Sequence, residues 1–149
     1  MQTAPSTRIL LIDDDRELTQ LLKHRIGATL ENTQVLITHD PYEAMNAMTE
    51  KAFDLILLDW NLPGLDGAQT LQKADQVFQF EPDVPRSWDS KPTPVVVLSG
   101  QLRSDCKVLK TKHFKYVGHI NKKNKLNHIV EAIKKHLPNN YMNLCAVNK

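Results

Sequence analysis

The sequence predicts an α/β domain in which helices cover both faces of a parallel β-sheet. Short continuous apolar runs recur along the chain, and such runs are typical of strands that are buried on both faces. Segments with the apolar spacing of amphipathic helices separate these runs. Because regular alternation of strands and helices indicates a parallel sheet, we expect a doubly wound, five-stranded architecture. A chain of 149 residues has room for one such domain.

Five strands are predicted from the apolar runs, and each is short enough to lie inside a sheet. The longest uninterrupted runs fall far below the roughly 18 residues that a membrane-spanning helix needs. In chain order, the predicted strands are Ile9–Ile12, Val35–Ile37, Asp54–Leu58, Val95–Leu98 and Tyr116–Ile120.

Five helices are predicted between and after these strands. The first contains Leu18, Leu22 and Ile26 at helical spacing, and the second begins at Asp40, with Pro41 in its first turn. Asp66 is expected to cap the third helix, which runs to about Phe78. A weaker fourth helix is predicted from Leu102 to about Lys112, and a strongly amphipathic fifth helix from Leu126 to Leu137, where Pro138 ends it.

The remaining segments define the expected domain limits. Glu81–Pro94 holds four of the eight prolines and has no periodicity, which predicts a long exposed loop. We expect one domain over residues 7–137 and a C-terminal tail over residues 138–149.

Composition and charge restrict the class of protein. Hydrophobic residues at 41% and charged residues at 24% are typical of a globular domain and exclude wholesale disorder. The N-terminal segment lacks the pattern of a signal peptide, and two cysteines fit neither a disulfide framework nor a zinc site, so we expect a cytoplasmic protein with no membrane segment. No DNA-binding motif is present. Residues 1–100 carry 8 basic and 15 acidic side chains, whereas residues 101–149 carry 11 basic and 2 acidic ones.

Chemically active side chains follow several of the predicted strands. Asp13, Asp14 and Asp15 follow the first strand, Asp59 the third, Ser99 the fourth, and Asn121, Lys122 and Lys123 the fifth. The carboxyl ends of parallel strands meet at one edge of a sheet, so these groups should lie close together. Clustered carboxylates repel one another unless a cation joins them, and Mg²⁺ accepts carboxylate and phosphoryl oxygens together. The pattern predicts a Mg²⁺-dependent site at which Asp59 accepts a phosphoryl group as an acyl phosphate.

The chain resembles the receiver domain of two-component response regulators, in the single-domain form of the chemotaxis regulator. The segments ILLIDDD, DLILLDWNLPGLDG, PVVVLSG and GHINKK carry the resemblance, in that order, within residues 7–137. The resemblance implies a flavodoxin-like fold with strand order 2-1-3-4-5. It also implies a regulatory phosphoacceptor domain rather than an enzyme, with a histidine kinase or histidine phosphotransfer protein as the phosphoryl donor.

The resemblance assigns roles to individual positions of this sequence. Asp59 matches the phosphoacceptor, and Asp13 and Asp14 match the acidic pair that holds Mg²⁺, with Asp14 as the direct ligand. The backbone carbonyl of Asn61 matches a further Mg²⁺ ligand. Ser99 and Lys122 match the hydroxyl and the lysine that bind phosphoryl oxygens, and Ser99 also matches a switch residue.

Two positions depart from the family pattern. Lys123 stands where the family often has a proline after a cis peptide bond, so we expect no such bond here. His119 occupies the switch position that usually holds Tyr or Phe. An imidazole buries less surface than those rings, which puts the usual aromatic switch in doubt.

Other conspicuous residues have simpler interpretations. Asp15 is expected to cap the first helix. Trp60 is expected to pack over the site, to shield the phosphoryl group or to contact a partner kinase. Five histidines show no metal-ligand spacing and are expected at the surface: His24, His39, His113, His128 and His136.

The preferred interpretation is a receiver that signals by protein–protein contact. The expected output face comprises the fourth predicted helix, the fifth strand and the fifth predicted helix, where basic residues suggest an acidic partner. Alternatives are a phosphorelay intermediate or phosphate sink, and a pseudo-receiver that binds partners without phosphorylation. A phosphatase of the haloacid dehalogenase type needs Asp-X-Asp at the strand end, and Asp59-Trp60-Asn61 lacks the second acid.

Overall fold

The computed structural model of the protein describes residues 6–80, 92–100 and 111–137. These residues form a five-stranded, fully parallel sheet in the order β2-β1-β3-β4-β5. The predicted doubly wound α/β fold and its strand order are therefore confirmed. The strands are β1 (Thr7–Ile12), β2 (Thr33–Thr38), β3 (Leu55–Asp59), β4 (Thr93–Ser99) and β5 (Phe114–Asn121).

Four helices lie within the described residues. They are α1 (Arg16–Thr29), α2 (Pro41–Glu50), α3 (Gly67–Phe80) and α4 (Leu126–Lys135). These helices correspond to the first, second, third and fifth predicted helices. The fourth predicted helix falls largely on residues 101–110, outside the described part of the chain, as do most of the predicted loop and the tail.

Most strands extend beyond the apolar runs that predicted them. Thr93 and Pro94 belong to β4, so the predicted loop Glu81–Pro94 was too long at its C-terminal end. Thr33 and Thr38 likewise pair with β1 at the ends of β2. Backbone pairing with a neighbouring strand, which polar residues also support, sets these ends, whereas apolar runs show only the buried middle of each strand.

The two faces of the sheet carry separate hydrophobic cores. On one face, alternate residues of β1 and β3, such as Leu11 and Leu57, pack with α1 and α4. On the other face, the intervening residues, such as Leu10 and Ile56, pack with α2 and α3. Because β3 is buried on both faces along its whole length, its sequence is a continuous run of four apolar residues followed by Asp59.

Aspartates at the helix starts fix how the chain leaves the sheet. The Asp15 carboxylate accepts a hydrogen bond from the backbone N–H of Leu18, which confirms its predicted capping role. Asp40 caps α2, as predicted, with Pro41 at its start. Asp66 and Gln69 exchange side chain–backbone hydrogen bonds of 2.8 and 3.0 Å at the start of α3. None of the helices in the described ranges is long and apolar enough to cross a bilayer.

A tight contact between Trp60 and Gly67 closes the turn after β3. Trp60 follows Asp59 directly, and only 2% of its surface is exposed. A Cβ atom on Gly67 would lie 2.6 Å from Cε3 of Trp60 and 3.2 Å from its Cα. The Gly67 N–H also donates to the Trp60 carbonyl at 3.0 Å. The absence of a side chain at Gly67 therefore lets the indole pack beneath the start of α3, next to the candidate site.

We expect Gly67→Ala to lower the free energy of unfolding by about 1–3 kcal/mol, because the added methyl overpacks the contact with Trp60. Gly27→Ala is the matched control. Gly27 lies in α1, and apart from its chain neighbours and the nearby backbone of its own helix no atom lies within 4 Å of the position that its methyl group would occupy, so the alanine should raise the free energy of unfolding by about 0.5–1 kcal/mol. Urea unfolding of both variants measures the contrast. Equal stability of the two variants would contradict this account of the turn.

Candidate functional site

The candidate site lies at the carboxyl edge of the sheet, where the strand order reverses between β1 and β3. Asp13 follows the last residue of β1, and Asp59 is the last residue of β3. Asp13 is fully buried, Asp59 is 4% exposed, and Asp14 is exposed to solvent. Carboxylate oxygens of these three residues lie within 4.8 Å of one another. The fold thus brings together the acidic residues that the sequence placed at two strand ends.

Lys122 joins the two buried carboxylates. Its Nζ atom lies 2.7 Å from Oδ2 of Asp13 and 3.1 Å from Oδ2 of Asp59. Lys122 follows β5, and its backbone N–H donates to the Ser99 carbonyl at 3.1 Å, which holds the start of the following turn against the end of β4. The ammonium therefore reaches the acidic residues of β1 and β3 from across the width of β4.

Backbone N–H groups hold the other oxygen of each buried carboxylate. Oδ1 of Asp13 accepts from the N–H of Asp15 at 2.9 Å, and Oδ1 of Asp59 accepts from the N–H of Asn61 at 3.1 Å. In both cases the donor lies two residues further along the chain, in the loop that the strand enters. Each carboxylate therefore has one oxygen bound to its own loop and the other directed at Lys122.

Burial and ion pairing perturb the two partners of this cluster. Burial raises the pKa of Asp13 above its usual value, and the hydrogen bonds from Lys122 and Asp15 offset this only in part, while the negative charge of Asp59 adds to the rise. Burial on its own would lower the pKa of Lys122, but the hydrogen bond and charge of Asp13, together with Asp59, raise it above its usual value. Lys122 is therefore a permanent cation in the site.

Ser99 lies beside the acidic cluster as the last residue of β4. It is 1% exposed and pairs in register with Asn121, which directly precedes Lys122. Asp59 is in register with Leu98, the residue before Ser99. Ser99 at the end of β4 and Lys122 just after β5 thus lie on the same side of Asp59.

His119 lies in β5, opposite Val97 of β4. A register shift between Val95 and Val96 places an additional residue, Val117, in β5 before Gly118. The imidazole is partly buried, and within the described residues its Nε2 atom is buried without a hydrogen-bond partner. No cis peptide bond occurs in the described ranges, which include the Lys122–Lys123 bond.

The expectation of surface histidines is wrong for three of the five residues. His24 and His128 are exposed, but His39, His113 and His136 are partly buried. Nδ1 of His39 lies 3.0 Å from the carbonyl oxygen of Asp13. A Cβ on Gly118 would lie 2.8 Å from the His136 ring, which therefore packs on β5.

His113 forms an ion-pair contact before the start of β5, at the opposite edge of the sheet from Lys122. Its Nδ1 lies 2.7 Å from Oδ1 of Asp75 in α3. Burial opposes ionisation of Asp75, but backbone N–H groups of Lys112 and His113 and the His113 ring hold the pKa of this carboxyl below its usual value. Histidine spacing along the sequence does not reveal such contacts, because they depend on which strands and helices are neighbours.

Trp60 is buried in the turn after β3. The indole packs inside the turn after β3 and presents almost no surface to another protein. Its burial favours a packing role.

The acidic cluster meets the chemical requirements of a Mg²⁺ site. Three carboxylates facing one ammonium leave an excess of two negative charges when all are ionised. Carboxylate oxygens are hard ligands, and the exposure of Asp14 leaves one side open for the water molecules that Mg²⁺ retains. Asp13, Asp14 and Asp59 are the side chains that could hold the ion.

Residues 9–134 match the family model of the response regulator receiver domain. The chain therefore belongs to the receiver-domain family of two-component systems. Receiver domains generally bind Mg²⁺ at an acidic pocket, and Asp13, Asp14 and Asp59 form an acidic group in this structure.

Curated relatives carry a similar domain within longer proteins. The transcriptional regulatory protein CpxR of Klebsiella pneumoniae is 37% identical over 94 residues, which is 63% of this chain and 34% of that protein. The sensor histidine kinase GacS of Pseudomonas protegens is 31% identical over 99 residues, covering 62% of this chain and 9% of the kinase. This chain thus spans about a third or less of the length of these relatives.

Solved structures confirm the fold. The chemotaxis protein CheY4 of Vibrio cholerae superimposes with a TM-score of 0.68 at 19% identity, covering 89% of this chain and 99% of that one. A CheY-like receiver domain from Methylobacillus flagellatus gives a TM-score of 0.65 at 16% identity, covering 88% and 98% of the two chains.

We expect Asp13→Asn to raise the free energy of unfolding in Mg²⁺-free buffer at neutral pH, because burial raises the pKa of this carboxyl. A carboxyl whose pKa is raised by folding destabilises the native state when ionised, and this cost disappears as the pH falls and the group is protonated. The asparagine removes the charge but can still accept the hydrogen bond from Asp15.

Asp14→Asn is the matched control for this substitution, because Asp14 is exposed and its carboxylate bears no such burial cost. Urea unfolding in the presence of a chelator compares the two variants with the parent protein. A destabilised Asp13→Asn variant would show that the ion pair with Lys122 outweighs the cost of burial.

Proposed function

We propose that the protein is a phosphorylation-dependent signalling receiver in which Asp59 accepts a phosphoryl group from a histidine kinase or histidine phosphotransfer protein. The observation that carries this proposal is the contact of one lysine with the buried Asp13 and Asp59, next to the exposed Asp14. A structural ion pair needs neither a third carboxylate nor a solvent opening, whereas a phosphoacceptor site needs both a cation site and access for the donor.

The transfer assigns a distinct task to each residue. An Oδ atom of Asp59 attacks phosphorus, the P–N bond to the donor histidine breaks, and its electron pair remains on the imidazole nitrogen. The Lys122 ammonium is placed to bind a phosphoryl oxygen near Oδ2 of Asp59, and the Ser99 hydroxyl to bind another. Asp13, Asp14, Asp59 and the Asn61 carbonyl would hold Mg²⁺, which when bound would neutralise charge on the phosphoryl oxygens.

Asp59→Ala should abolish phosphorylation of this site, because it removes the carboxylate at the end of β3 that is the proposed phosphoacceptor. The measurement is intact mass after incubation with acetyl phosphate, with and without Mg²⁺. We expect a Mg²⁺-dependent gain of one phosphoryl group in the parent protein and none in the variant.

Asp54→Asn is the control, since Asp54 lies just before the opposite end of β3 and its carboxylate accepts a hydrogen bond from the backbone N–H of Arg8. This variant should be phosphorylated like the parent protein. A parent protein that gains no mass is next tested with phosphorylated histidine phosphotransfer proteins as donors. Failure with these donors too would favour the pseudo-receiver alternative.

The proposed output is a change in protein–protein contact rather than turnover of an external substrate. New charge near Ser99 and Lys122 would bias the domain between two states. His119 is the proposed second switch residue. Its buried, unpartnered Nε2 atom gains a hydrogen bond when the ring moves to a polar environment. We further propose that this signalling takes place in the cytoplasm.

The proposed output face is strongly basic in its described part. Lys123, Lys125 and Lys135 are exposed on the turn before α4 and on α4 itself, where Glu131 is the single acidic residue. This surface is continuous with the turn that carries Lys122. We therefore propose that the output partner presents an acidic segment to it.

Charge reversal at both Lys123 and Lys125 should weaken binding of a labelled oligo-glutamate peptide several-fold, because two attractive contacts become repulsive. Reversal at Lys23 and Lys51 changes the net charge equally but lies on α1 and after α2, and should have little effect. Fluorescence anisotropy at low and high salt measures both. Equal losses in the two double variants would show that net charge, not this face, attracts the peptide.

A phosphorelay intermediate is the second candidate, favoured by the similarity to a segment of the GacS sensor kinase. In that role the phosphoryl group would pass from Asp59 to a histidine phosphotransfer protein without an output partner. Back-transfer from phosphorylated protein to such a histidine distinguishes the relay from the signalling receiver.

A further inference from the structure

His39 connects the end of β2 to the acidic loop. It follows Thr38, the last residue of β2, which is in register with Ile12 at the end of β1. The Asp13 N–H donates to the Thr38 carbonyl at 3.1 Å, and the Asp13 carbonyl oxygen lies 3.0 Å from Nδ1 of His39. Both backbone polar groups of Asp13 are therefore bound to the end of β2.

The direction of this hydrogen bond defines the state of the imidazole. A carbonyl oxygen can only accept, so Nδ1 of His39 carries the hydrogen and donates it to Asp13. The backbone of His39 is itself anchored, because its N–H donates to Oε2 of Glu43 in the first turn of α2 at 3.2 Å. Asp40 caps the same helix through the N–H groups of Tyr42 and Glu43. The ring thus extends from a fixed helix start to the acidic loop.

The orientation of the Asp13 carbonyl sets the direction in which the Asp14 side chain leaves the backbone. The carbonyl of one residue and the N–H of the next lie in one peptide plane, so holding the Asp13 oxygen holds the plane from which Asp14 projects. Within the described residues the Asp14 carboxylate makes no hydrogen bond or ion pair, although it lies within 4.8 Å of the Asp13 and Asp59 carboxylates. Its position therefore depends on the backbone, whereas Lys122 holds the other two side chains.

We propose that His39 is a positioning residue for the metal site: its Nδ1–H bond to the Asp13 carbonyl aims the Asp14 carboxylate at the shared cation position. This inference rests on the proposed function, because it assigns Asp14 to the Mg²⁺ site. Residues that orient metal ligands through hydrogen bonds commonly change metal affinity by about 10–100-fold when they are replaced.

Asparagine and glutamine separate this hydrogen bond from a general packing role. The amide nitrogen of asparagine is the same number of bonds from Cα as Nδ1 of histidine, whereas that of glutamine corresponds to Nε2. His39→Asn can therefore restore the bond to Asp13, and His39→Gln cannot do so from the same backbone position. His24→Gln is the control, since His24 is exposed on α1, eight residues after the start of that helix.

Titration calorimetry with Mg²⁺ alone measures the affinity of each variant, and urea unfolding with a chelator measures its stability. We expect His39→Gln to bind Mg²⁺ about tenfold more weakly than the parent protein and His39→Asn to stay within about twofold of it. His24→Gln should match the parent protein. Equal losses in the Asn and Gln variants, or no loss in either, would overturn the proposal. The proposal would also be overturned if the Mg²⁺ affinity of His39→Gln fell only to the extent that its free energy of unfolding fell.

The outcomes also separate this proposal from the proposed function. One outcome is a parent protein that binds Mg²⁺ but accepts no phosphoryl group from acetyl phosphate or a phosphotransfer protein. That result contradicts the receiver activity, whereas the comparison of His39 variants still tests the positioning role. A parent protein that does not bind Mg²⁺ overturns both. If His39→Gln does not fold, retained affinity in His39→Asn with lost affinity in His39→Ser, which is too short to reach Asp13, supports the positioning role.

Discussion

The contact of Lys122 with Asp13 and Asp59 is the interaction on which the rest of the site depends. Two carboxylates are buried at the ends of neighbouring strands, and like charges at such short range would otherwise repel each other. The ammonium reaches both from the turn after β5. This geometry requires β1, β3, β4 and β5 to end at one level, which a parallel sheet with this strand order provides.

The same arrangement makes the acidic edge a costly part of the fold. Burial raises the pKa of Asp13 despite the nearby cation, so the ionised site is less stable than the protonated one. The surrounding structure offsets the cost through two apolar cores that cover both faces of the central strands. A buried acidic cluster whose repulsion a bound cation would reduce is expected where function, rather than stability alone, selects the residues.

Much of this architecture follows from short sequence patterns, and the remainder depends on contacts between distant segments. Apolar runs reveal the buried middle of each strand, and Asp15 and Asp40 cap helices through local hydrogen bonds that sequence alone can predict. The position of Asp59 after a continuous apolar run likewise identifies its edge of the sheet. His39 could not be recognised in this way, because its bond to Asp13 exists only when β2 lies beside β1. Trp60 is similar, since the choice between packing and partner contact depends on Gly67, seven residues further along the chain.

Phosphorylation of Asp59 would change the charge of the site, and we expect the β5 edge of the sheet to adjust to that change. The carboxylate charge of Asp59 would be replaced by the nearly two negative charges of a phosphoryl group, and Lys122 and Ser99 would shift to follow the new oxygens. The β1, β3 and β4 strands are packed by cores on both faces, so they have little freedom to respond. Ser99 at the end of β4 and Lys122 just after β5 are the two residues proposed to bind the phosphoryl group, and β5 forms an edge of the sheet. Movement there would reach the partly buried His119 and the basic turn before α4, which places the consequence of phosphorylation on the surface proposed to receive an acidic partner.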